Sequence, residues 1–481
     1  MAIRLREAGI EDFTIWERDA DVGGTWWANT YPGCQCDIPS HLYSFSFAPN
    51  PNWSRTYPLQ AEIQRYLRDV SERYGVRDRI HFDCMMTGAQ WDEEHGVWRV
   101  ETTRGPFTAD ILIAAPGFLS EPAIPDIPGL ESFDGVTFHT ARWNHDCDLT
   151  GRRVAVVGTG ASAIQAVPQI QPVVEHLDVF QRTPPWVMPH RDRPITGFER
   201  RMYRRFPALQ RVVRSGVYWS REVLVPGFAF NPKLLKFAEK VGKRHMEKSV
   251  ADPELRAKLT PSYAFGCKRV LPSNDWYPAI TQPNVDVITE GIAEVRPNGI
   301  VSRDGKLHEV DTIVFATGFH VTDIKFADIV RGRDGRAMSE TWNGSPQAYR
   351  GTAVAGFPNL FIVTGPNTGL GHNSLVYMIE AQLDYLIDAL RTMDARRATR
   401  VEVRRAVQEA YNTSLQSRMG RTVWNSGGCS SWYLDRNGMN TTIWPDFTWK
   451  YRRQTQHFDA AAYELSSPAR ATAGEPEPVP A

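Results

Sequence analysis

A glycine-rich segment near position 160 has the spacing of a phosphate-binding turn. It fits G-x-G-x-x-A, and its six residues are Gly158, Thr159, Gly160, Ala161, Ser162 and Ala163. The apolar run 153–157 precedes it and the helix-like segment 161–170 follows it. In that context glycines let the backbone approach a pyrophosphate at the helix N-terminus. The pattern therefore predicts a dinucleotide site, in preference to a tight turn that binds nothing.

The position that selects between NAD and NADP lies about twenty residues after such a turn. NAD sites carry an acid there, which hydrogen-bonds the ribose hydroxyl. This chain instead has Gln181-Arg182-Thr183 after the next strand-like run. A guanidinium makes charged, bidentate contacts to phosphate, so Arg182, followed by Thr183, indicates NADPH rather than NADH. The alternative is an ordinary surface arginine.

An acid near the start of the chain indicates a second, incomplete nucleotide site. The segment 13–17 is strand-like and ends at Glu17, where a ribose-binding acid would stand. The matching glycine turn, about twenty residues earlier, would precede residue 1. Residues 1–9 have the pattern of the helix that such a turn opens, with Gly9 as its stop. We expect the first strand and its glycine turn to be missing, through a misplaced start or a degenerate copy.

Two long fingerprints carry a family resemblance. Residues 23–37, GGTWWANTYPGCQCD, match G-G-x-W-x-x-x-x-[FY]-P-[GM]-x-x-x-D at every defined position. Residues 133–143, FDGVTFHTARW, match F-x-G-x-x-x-H-x-x-x-W, although Asn144 follows where Pro or Asp is usual. The strand-end segment 316–319, ATGF, fits as well. Over roughly residues 1–450 the chain resembles the Baeyer–Villiger monooxygenases, and Trp143 separates it from ordinary flavin monooxygenases.

The resemblance implies an enzyme that binds FAD and NADPH. NADPH would reduce the flavin, O2 would add to it, and the flavin peroxide would insert one oxygen atom into a ketone, giving an ester or lactone. The cofactor carries most of this chemistry, and the protein positions and protects it. Two other readings stay open: oxygenation of sulfides or amines by the same peroxide, and a non-catalytic remnant that binds NADP but holds FAD poorly.

The resemblance also assigns roles to single residues. Arg269, in the segment YAFGCKR, would be catalytic, because a permanently charged guanidinium stabilises an anionic peroxide. Asp37 would orient Arg269 beside the flavin; its alternative is a turn-capping role. The remaining cofactor-binding positions are expected to be Glu17, Thr25, Trp26, Gln35 and Tyr43 for FAD, and Lys268 and Arg182 for the NADP phosphate.

Two aromatic positions of the resemblance have weaker assignments. Trp432 resembles a tryptophan near the nicotinamide and the substrate pocket, and a buried core tryptophan is its alternative. The fingerprint residue His139 is expected to be structural or conformational, at a domain junction, and not a catalytic base.

The elements that must position these residues form an α/β protein with two dinucleotide-binding domains and a helical insertion. We expect residues 1–145 to be the first part of the FAD domain, lacking its first strand and glycine turn. Residues 146–335 would form the NADP domain, interrupted by a Lys/Arg-rich insertion at about 195–260 and completed by the strand 312–318. Residues 336–465 would form the second part of the FAD domain, and 466–481 a disordered tail.

The composition bounds the environment of the protein. Lys plus Arg and Asp plus Glu both number 55, so the zero net charge favours neither nucleic acid nor an acidic membrane surface as the main partner. No run of eighteen apolar residues is present, so we expect no transmembrane helix, and the first residues lack the apolar core of a signal peptide. Its six cysteines contain no CxxC pair, so we expect them to be reduced thiols in a cytoplasmic protein, without a metal site. The oligomeric state and the identity of the ketone stay open.

The missing glycine turn generates a prediction about cofactor content. Without its backbone N–H groups the chain loses two or three hydrogen bonds to the FAD pyrophosphate, about 3–9 kcal/mol or roughly two to six decades in affinity. The 481-residue chain should therefore purify nearly colourless and inactive. Adding an upstream strand with G-x-G-x-x-G should give a yellow protein that oxidises NADPH. Flavin absorbance per protein measures both, and stoichiometric FAD in the shorter chain would contradict the prediction.

Overall fold

The structure is a computed structural model that describes residues 1–467. Its strands are β1 (Ile15–Trp16), β2 (Ile80–His81), β3 (Met86–Asp92), β4 (Val97–Thr102), β5 (Gly105–Ala109), β6 (Leu112–Ala114), β7 (Val136–His139), β8 (Arg153–Val157), β9 (His176–Phe180), β10 (Val187–Met188), β11 (Leu271–Pro272), β12 (Val285–Ile288), β13 (Ile292–Arg296), β14 (Gly299–Ser302), β15 (Leu307–Glu309), β16 (Thr312–Phe315), β17 (Val330–Arg331), β18 (Leu360–Ile362), β19 (Arg400–Val403) and β20 (Tyr463–Ser466).

Its helices are α1 (Ala2–Glu7), α2 (Thr25–Ala28), α3 (Gln60–Arg73), α4 (Ala161–Ile170), α5 (Gly197–Arg205), α6 (Pro207–Glu222), α7 (Lys236–Ser249), α8 (Pro253–Leu259), α9 (Trp276–Ile280), α10 (Phe326–Ile329), α11 (Met338–Trp342), α12 (Leu375–Ala395), α13 (Arg405–Met419), α14 (Val423–Ser426) and α15 (Thr448–Gln454). Within residues 1–467 none of them combines the length and the apolar character that crossing a bilayer requires.

The second nucleotide-binding sheet is parallel throughout, with strand order β12-β9-β8-β16-β7. Strands β8 and β16 are almost wholly apolar because both faces of this sheet are covered. Helix α4 packs on one face through Ala163 and Val167, which are fully buried. The sequence-predicted bounds of β8 and α4 agree with the structure residue for residue.

The first sheet consists of two separate parallel pairs, β1 with β2 and β6 with β18. In the second sheet, the glycine-turn strand β8 lies between β9 and β16. Within residues 1–467 no strand pairs with both β1 and β6. Residues of both strands, among them Ile15, Trp16, Leu112 and Ile113, line a large cavity. We call the part of this cavity beside the two strands the slot; the missing first strand stays a prediction.

Several predicted bounds differ from the structure. The strand predicted for 13–17 is only two residues long, because β1 has a single partner whose register covers Ile15 and Trp16 alone. The predicted tail is wrong at its first residue, since Ser466 pairs with Arg400 in the β19–β20 ladder. The rest of that tail, from 468, lies outside the described residues.

Two strands cross the predicted domain boundaries. Strand β7, before the boundary at 145, pairs with β16 at the edge of the second sheet. Strand β17, before the boundary at 335, pairs with β3 in the four-stranded sheet β17-β3-β4-β5. The chain therefore passes between the two halves more often than the linear division predicted, and the boundaries themselves stay predictions.

The predicted insertion is helical and contains α5 to α8. Helix α5 begins at a capping box in which the Thr196 side chain accepts from the Glu199 N–H and Glu199 accepts from the Thr196 N–H. Helix α6 begins at Pro207, which suits the first turn because proline has no N–H to satisfy there.

The first fingerprint loop and helix α4 meet at Gly33. Its φ is +78°, and a Cβ placed there would lie 2.6 Å from the backbone oxygen of Gln165. Only glycine combines a left-handed backbone with so close an approach to another backbone. Gly33 therefore allows the loop from the first half to rest on the nucleotide-binding helix of the second half.

We predict that Gly33→Ala destabilises the protein by about 2–5 kcal/mol, from the left-handed backbone together with the forced displacement of α4. Gly151→Ala is the matched control, because Gly151 also has a positive φ of +69° but has nothing within 4 Å of its Cβ position. The control should lose only about 1–2 kcal/mol. Urea unfolding followed by circular dichroism measures both, and equal losses would contradict the proposed contact.

Candidate active site

One cavity of about 1990 Å³ joins the two nucleotide-binding halves. Fifteen of the sixteen sequence-predicted site residues line it, namely Glu17, Thr25, Trp26, Gln35, Asp37, Tyr43, Gly158, Thr159, Gly160, Ser162, Arg182, Thr183, Lys268, Arg269 and Trp432. The sixteenth, Ala163, is fully buried below the cavity and packs α4 against the sheet. Small size at this position lets the helix lie close to β8.

The ion pair between Arg269 and Asp37 connects segments that are 232 residues apart in the chain. The Arg269 Nε and Nη2 atoms each donate to one Asp37 carboxylate oxygen, both at 2.6 Å. Arg269 Nη1 also donates to the Leu370 carbonyl at 3.2 Å. This bidentate geometry fixes the plane of the guanidinium and leaves its cavity-facing edge partly exposed.

Two opposing effects, burial and the opposite charge of the partner, determine the ionisation of Asp37 and Arg269. Burial raises the pKa of the Asp37 carboxyl, but the adjacent Arg269 guanidinium outweighs burial and holds that pKa below its ordinary value. Burial lowers the pKa of Arg269, and Asp37 more than reverses the change. Both side chains are therefore ionised at neutral pH, and Arg269 presents a permanent cation to the cavity.

A second group of cations lies on the NADP-domain side of the cavity. Lys268 Nζ donates to Thr183 Oγ1 at 3.2 Å, and the pKa of Lys268 is lowered by burial and then by the charge of Arg182. Neither Lys268 nor Arg182 forms an ion pair with any carboxylate in residues 1–467. Two neighbouring cations without acids are destabilising unless an anion binds between them, so the arrangement is suited to a phosphate.

The glycine turn lies at the carboxyl end of β8. Gly158 has φ +110°, and a Cβ there would lie 2.5 Å from the Ala316 carbonyl oxygen at the end of β16. Gly160 has open space at its Cβ position and is exposed to the cavity. Thr159 Oγ1 donates to the Thr183 carbonyl at 3.1 Å and ties the turn to the segment after β9. The α4 N–H groups are thereby left facing the cavity.

Trp26, from the first fingerprint, and Tyr43 form an aromatic part of the cavity wall. Trp26 Nε1 donates to Tyr43 Oη at 2.9 Å, and their rings meet edge-to-face at 5.6 Å. Burial raises the pKa of Tyr43 above its ordinary value, so its hydroxyl stays neutral. Thr25 begins the short helix α2 beside Trp26. This wall is apolar with neutral hydroxyl groups, which suits a flat aromatic ligand.

Glu17 directly follows β1 and faces the same cavity. One carboxylate oxygen accepts the Asp19 N–H at 2.9 Å. Burial raises the pKa of Glu17 from its ordinary value. An acid at the end of this strand, beside the slot, is positioned to accept hydrogen bonds from ribose hydroxyls.

Two residues that the sequence did not single out hold the two halves together. Gln165 Oε1 accepts from Tyr31 Oη at 2.9 Å and from the Gln35 N–H at 3.2 Å, while its Nε2 donates to the Gln35 carbonyl. The Gln35 side chain turns away and donates to Asp192 at 3.1 Å. Asp192 also binds Arg55 and Thr56. Only their long-range contacts reveal these roles, so no local pattern could have shown them.

A buried acid at the end of α6 anchors the insertion below the cavity. Glu222 accepts from Asn373 Nδ2 at 2.7 Å and from the Thr448 N–H at 3.0 Å, and it lies 3.3 Å from His372 Nε2. Burial raises the pKa of Glu222, but these donors outweigh burial and lower it overall. A single acid among the many basic residues of α6 was the one available signal.

The two aromatic assignments can be compared with the structure. Trp432 is 41% exposed and faces the cavity, so its alternative as a buried core residue does not apply. Its neighbour Tyr433, missed by the sequence reasoning, is fully buried, and burial raises its pKa to about 12. His139 is buried outside the cavity lining, where Nδ1 accepts the Ala141 N–H at 3.0 Å and burial lowers its pKa to about 4.

The expectation of six reduced cysteines is wrong for one pair. Cys267 and Cys429 form a disulfide across 162 residues, with their Cα atoms 6.1 Å apart. Cys267 directly precedes Lys268, and Cys429 precedes Trp432 by three residues, so the bond ties the Arg269 segment to the Trp432 loop. Spacing along the chain carries no information on segments that meet only after folding, and Cys34, Cys36, Cys84 and Cys147 are thiols.

Comparisons with known proteins place this geometry in a family. A family model described as pyridine nucleotide-disulphide oxidoreductase matches residues 1–196. A Baeyer-Villiger monooxygenase of Streptomyces coelicolor is 52% identical over 475 residues, covering 98% of this chain and 91% of that relative. A closed cyclohexanone monooxygenase structure superposes with a TM-score of 0.87 at 28% identity, covering 97% of this chain and 96% of that one.

A structure of OTEMO in complex with FAD and NADP superposes with a TM-score of 0.86 at 27% identity, again covering 97% and 96% of the two chains. The two fingerprints, the parallel strand pairing in both halves and the 52% identity over 98% of the chain all indicate the same family. This chain belongs to the Baeyer–Villiger monooxygenase family.

Proposed function

We propose that this protein is a FAD- and NADPH-dependent monooxygenase that inserts one oxygen atom from O2 into a small-molecule ketone, giving an ester or lactone. The observation that carries the proposal is the Arg269–Asp37 pair, a fixed cation on the wall of a cavity shared by both nucleotide-binding halves. The relatives named Baeyer-Villiger monooxygenase and the structure complexed with FAD and NADP support it.

The NADP half of the cavity fits NADPH. The Gly158 turn and the N-terminus of α4 offer N–H groups to a pyrophosphate, and Gly160 leaves room for it. Arg182 and Lys268 would hold the additional phosphate, which satisfies two cations that lack acids of their own. The additional phosphate of NADPH would relieve the repulsion between these two cations, and NADH has no such phosphate, so the pair favours NADPH.

The opposite half fits FAD in its residues. Glu17 would accept from the ribose, and Thr25, Trp26 and Tyr43 would line the isoalloxazine side, with Gln35 beside them on the cavity wall. The apolar slot between β1 and β6 continues the same cavity. When bound and reduced, FAD supplies the activation of O2.

The protein's own contribution is electrostatic positioning. Arg269 keeps a permanent positive charge at the cavity wall, where it stabilises negative charge that develops during oxygen transfer. Asp37 fixes the guanidinium plane and keeps the net local charge low. Trp432, exposed to the same cavity, would cover the nicotinamide and bound substrate and exclude water.

A product assay tests the proposal directly. Protein extended by the upstream strand and G-x-G-x-x-G segment, loaded with FAD and supplied with NADPH and O2, should convert a cyclic ketone into a lactone that contains one atom of labelled 18O2. The same extended protein is the background for the Arg182 and Arg269 variants below. A thioether in a parallel reaction tests oxygenation at sulfur. Sulfoxide without any lactone across a panel of ketones would overturn ketone insertion. A cytoplasmic location stays a prediction. It was based on six reduced cysteines, of which four are unpaired in the structure.

Arg182→Ala should raise the KM for NADPH by roughly 10- to 150-fold while the KM for NADH changes little, because a charge-assisted contact contributes about 1.5–3 kcal/mol. Steady-state oxidation of the two nucleotides measures this preference. Arg336→Ala, which removes a charge outside the cavity, is the control. Equal use of NADH and NADPH by the wild-type protein would contradict the assignment of Arg182.

Arg269→Ala should retain reduction of bound flavin by NADPH and lose ester formation by at least about 100-fold, since the charge acts after reduction. Arg269→Lys keeps the charge but loses the bidentate pair, so we expect an intermediate loss. Stopped-flow absorbance measures reduction, and product analysis measures oxygen insertion. Ester formation at a near wild-type rate in Arg269→Ala would remove Arg269 from the mechanism.

A further inference from the structure

Exposed apolar side chains are concentrated in one part of the molecule. Thirteen large hydrophobic residues are exposed in residues 1–467, and eight of them lie between 197 and 249, within the helical insertion. They are Phe198, Phe206, Leu209, Val212, Trp219, Val223, Leu234 and Phe237. Single exposed apolar residues are normal on a protein surface, but a concentration in one insertion indicates a contact surface.

Four of these side chains form a stripe along α6 and its C-terminal end. Leu209, Val212, Trp219 and Val223, with the exposed Gly216 between them, are spaced by three or four residues and so share one face. They are between 39% and 75% exposed. The opposite face of α6 is buried through Gln210, Tyr218 and Glu222, which fixes the orientation of the helix. We call the exposed face the α6 stripe.

The charge of the same segment is strongly positive. Residues 197–249 contain 13 Lys and Arg but four Asp and Glu, a net charge of +9. The remainder of the chain is −9, so the neutral total conceals the asymmetry. Arg204 and Arg205, exposed and in no ion pair with any of residues 1–467, directly precede Phe206 at the start of α6. The whole-chain balance therefore gave no sign of this cationic surface.

We propose that the α6 stripe and the surrounding basic residues dock on an anionic lipid bilayer. A peripheral helix inserts Trp, Phe, Leu and Val at the boundary between headgroups and acyl chains while Arg and Lys bind anionic headgroups. This mode needs no spanning helix. Docking on an anionic bilayer accounts for both the apolar stripe and the +9 charge of residues 197–249.

Charge decides between the bilayer and the other occupants. A symmetric dimer through the α6 stripe would bring together two copies of a segment whose net charge is +9, and like charges near an interface oppose association. A nucleic acid would satisfy the cations but would leave a stripe of exposed aliphatic side chains without a partner. A bilayer with acidic headgroups satisfies both.

Vesicle co-sedimentation of the full chain tests the proposal. Wild-type protein should bind vesicles of equal phosphatidylglycerol and phosphatidylcholine at least about tenfold more tightly than vesicles of phosphatidylcholine alone. Val212→Ser/Trp219→Ser should weaken binding by at least about tenfold. Met85→Ser/Val173→Ser removes two exposed apolar side chains outside the insertion, 43% and 47% exposed, and should leave vesicle binding unchanged. Thermal unfolding by circular dichroism checks that both variants are folded.

The charge component has its own matched pair. Arg204→Gln/Arg205→Gln should weaken vesicle binding by roughly 30-fold, because each arginine near an anionic surface contributes about 1 kcal/mol of binding free energy. Arg396→Gln/Arg397→Gln, an exposed adjacent pair outside the insertion, should not weaken vesicle binding.

Equal binding to both vesicle types, or no effect of the stripe variant on vesicle binding, overturns the proposal. A stripe variant that changes the sedimentation molar mass but not vesicle binding would assign the stripe to a second copy. Binding that soluble heparin abolishes while apolar substitution has no effect would assign it to polyanions.

Discussion

The bidentate contact between Arg269 and Asp37 is the interaction on which the site depends. It joins a loop of the first half to the segment that leads out of the insertion, 232 residues later, and it does so on the cavity wall. A half-buried carboxylate beside a half-buried guanidinium is most stable as a closely hydrogen-bonded pair, because each group has lost part of its hydration. Any relative displacement of the two halves would leave both charges without partners. The geometry of the cavity is therefore tied to the geometry of this pair.

Other contacts reinforce the same alignment through different chemistry. Gln165 binds the fingerprint loop by both amide atoms, and Gly33 lets that loop approach α4 without a side chain between them. The disulfide between Cys267 and Cys429 restrains the arginine segment from the opposite side. Neutral hydrogen bonds and close backbone packing keep these contacts free of the desolvation that further charges would require.

The insertion combines two faces with different requirements. Its inner face is held by Glu222, a buried acid that accepts three hydrogen bonds, one from Asn373 and two from Thr448 at the start of α15. Its outer face carries the α6 stripe and an excess of basic residues. Burying an acid inside a basic segment fixes which face points inward, because only that face can satisfy a carboxylate. The outer face is consequently free of any role in core packing.

Much of the fold and site could be predicted locally. The bounds of β8 and α4, and the positions of Glu17, Arg182 and Arg269, follow from patterns within about twenty residues of one another or from the fingerprints. Apolar periodicity and glycine spacing express the geometry of one strand, one turn and one helix. These are properties that neighbouring residues determine without the rest of the chain.

Only the tertiary structure decided the remainder. The short β1, the edge strand β7, the Cys267–Cys429 bond and the partners of Gln165 depend on which segments meet after folding. The sequence shows that the insertion is rich in Lys and Arg, but only folding decides which of its side chains are exposed. By itself the sequence determined the chemistry available and the elements that carry it. Folding decided which side chains face one another and which face remains exposed, because packing between distant segments sets both burial and pairing.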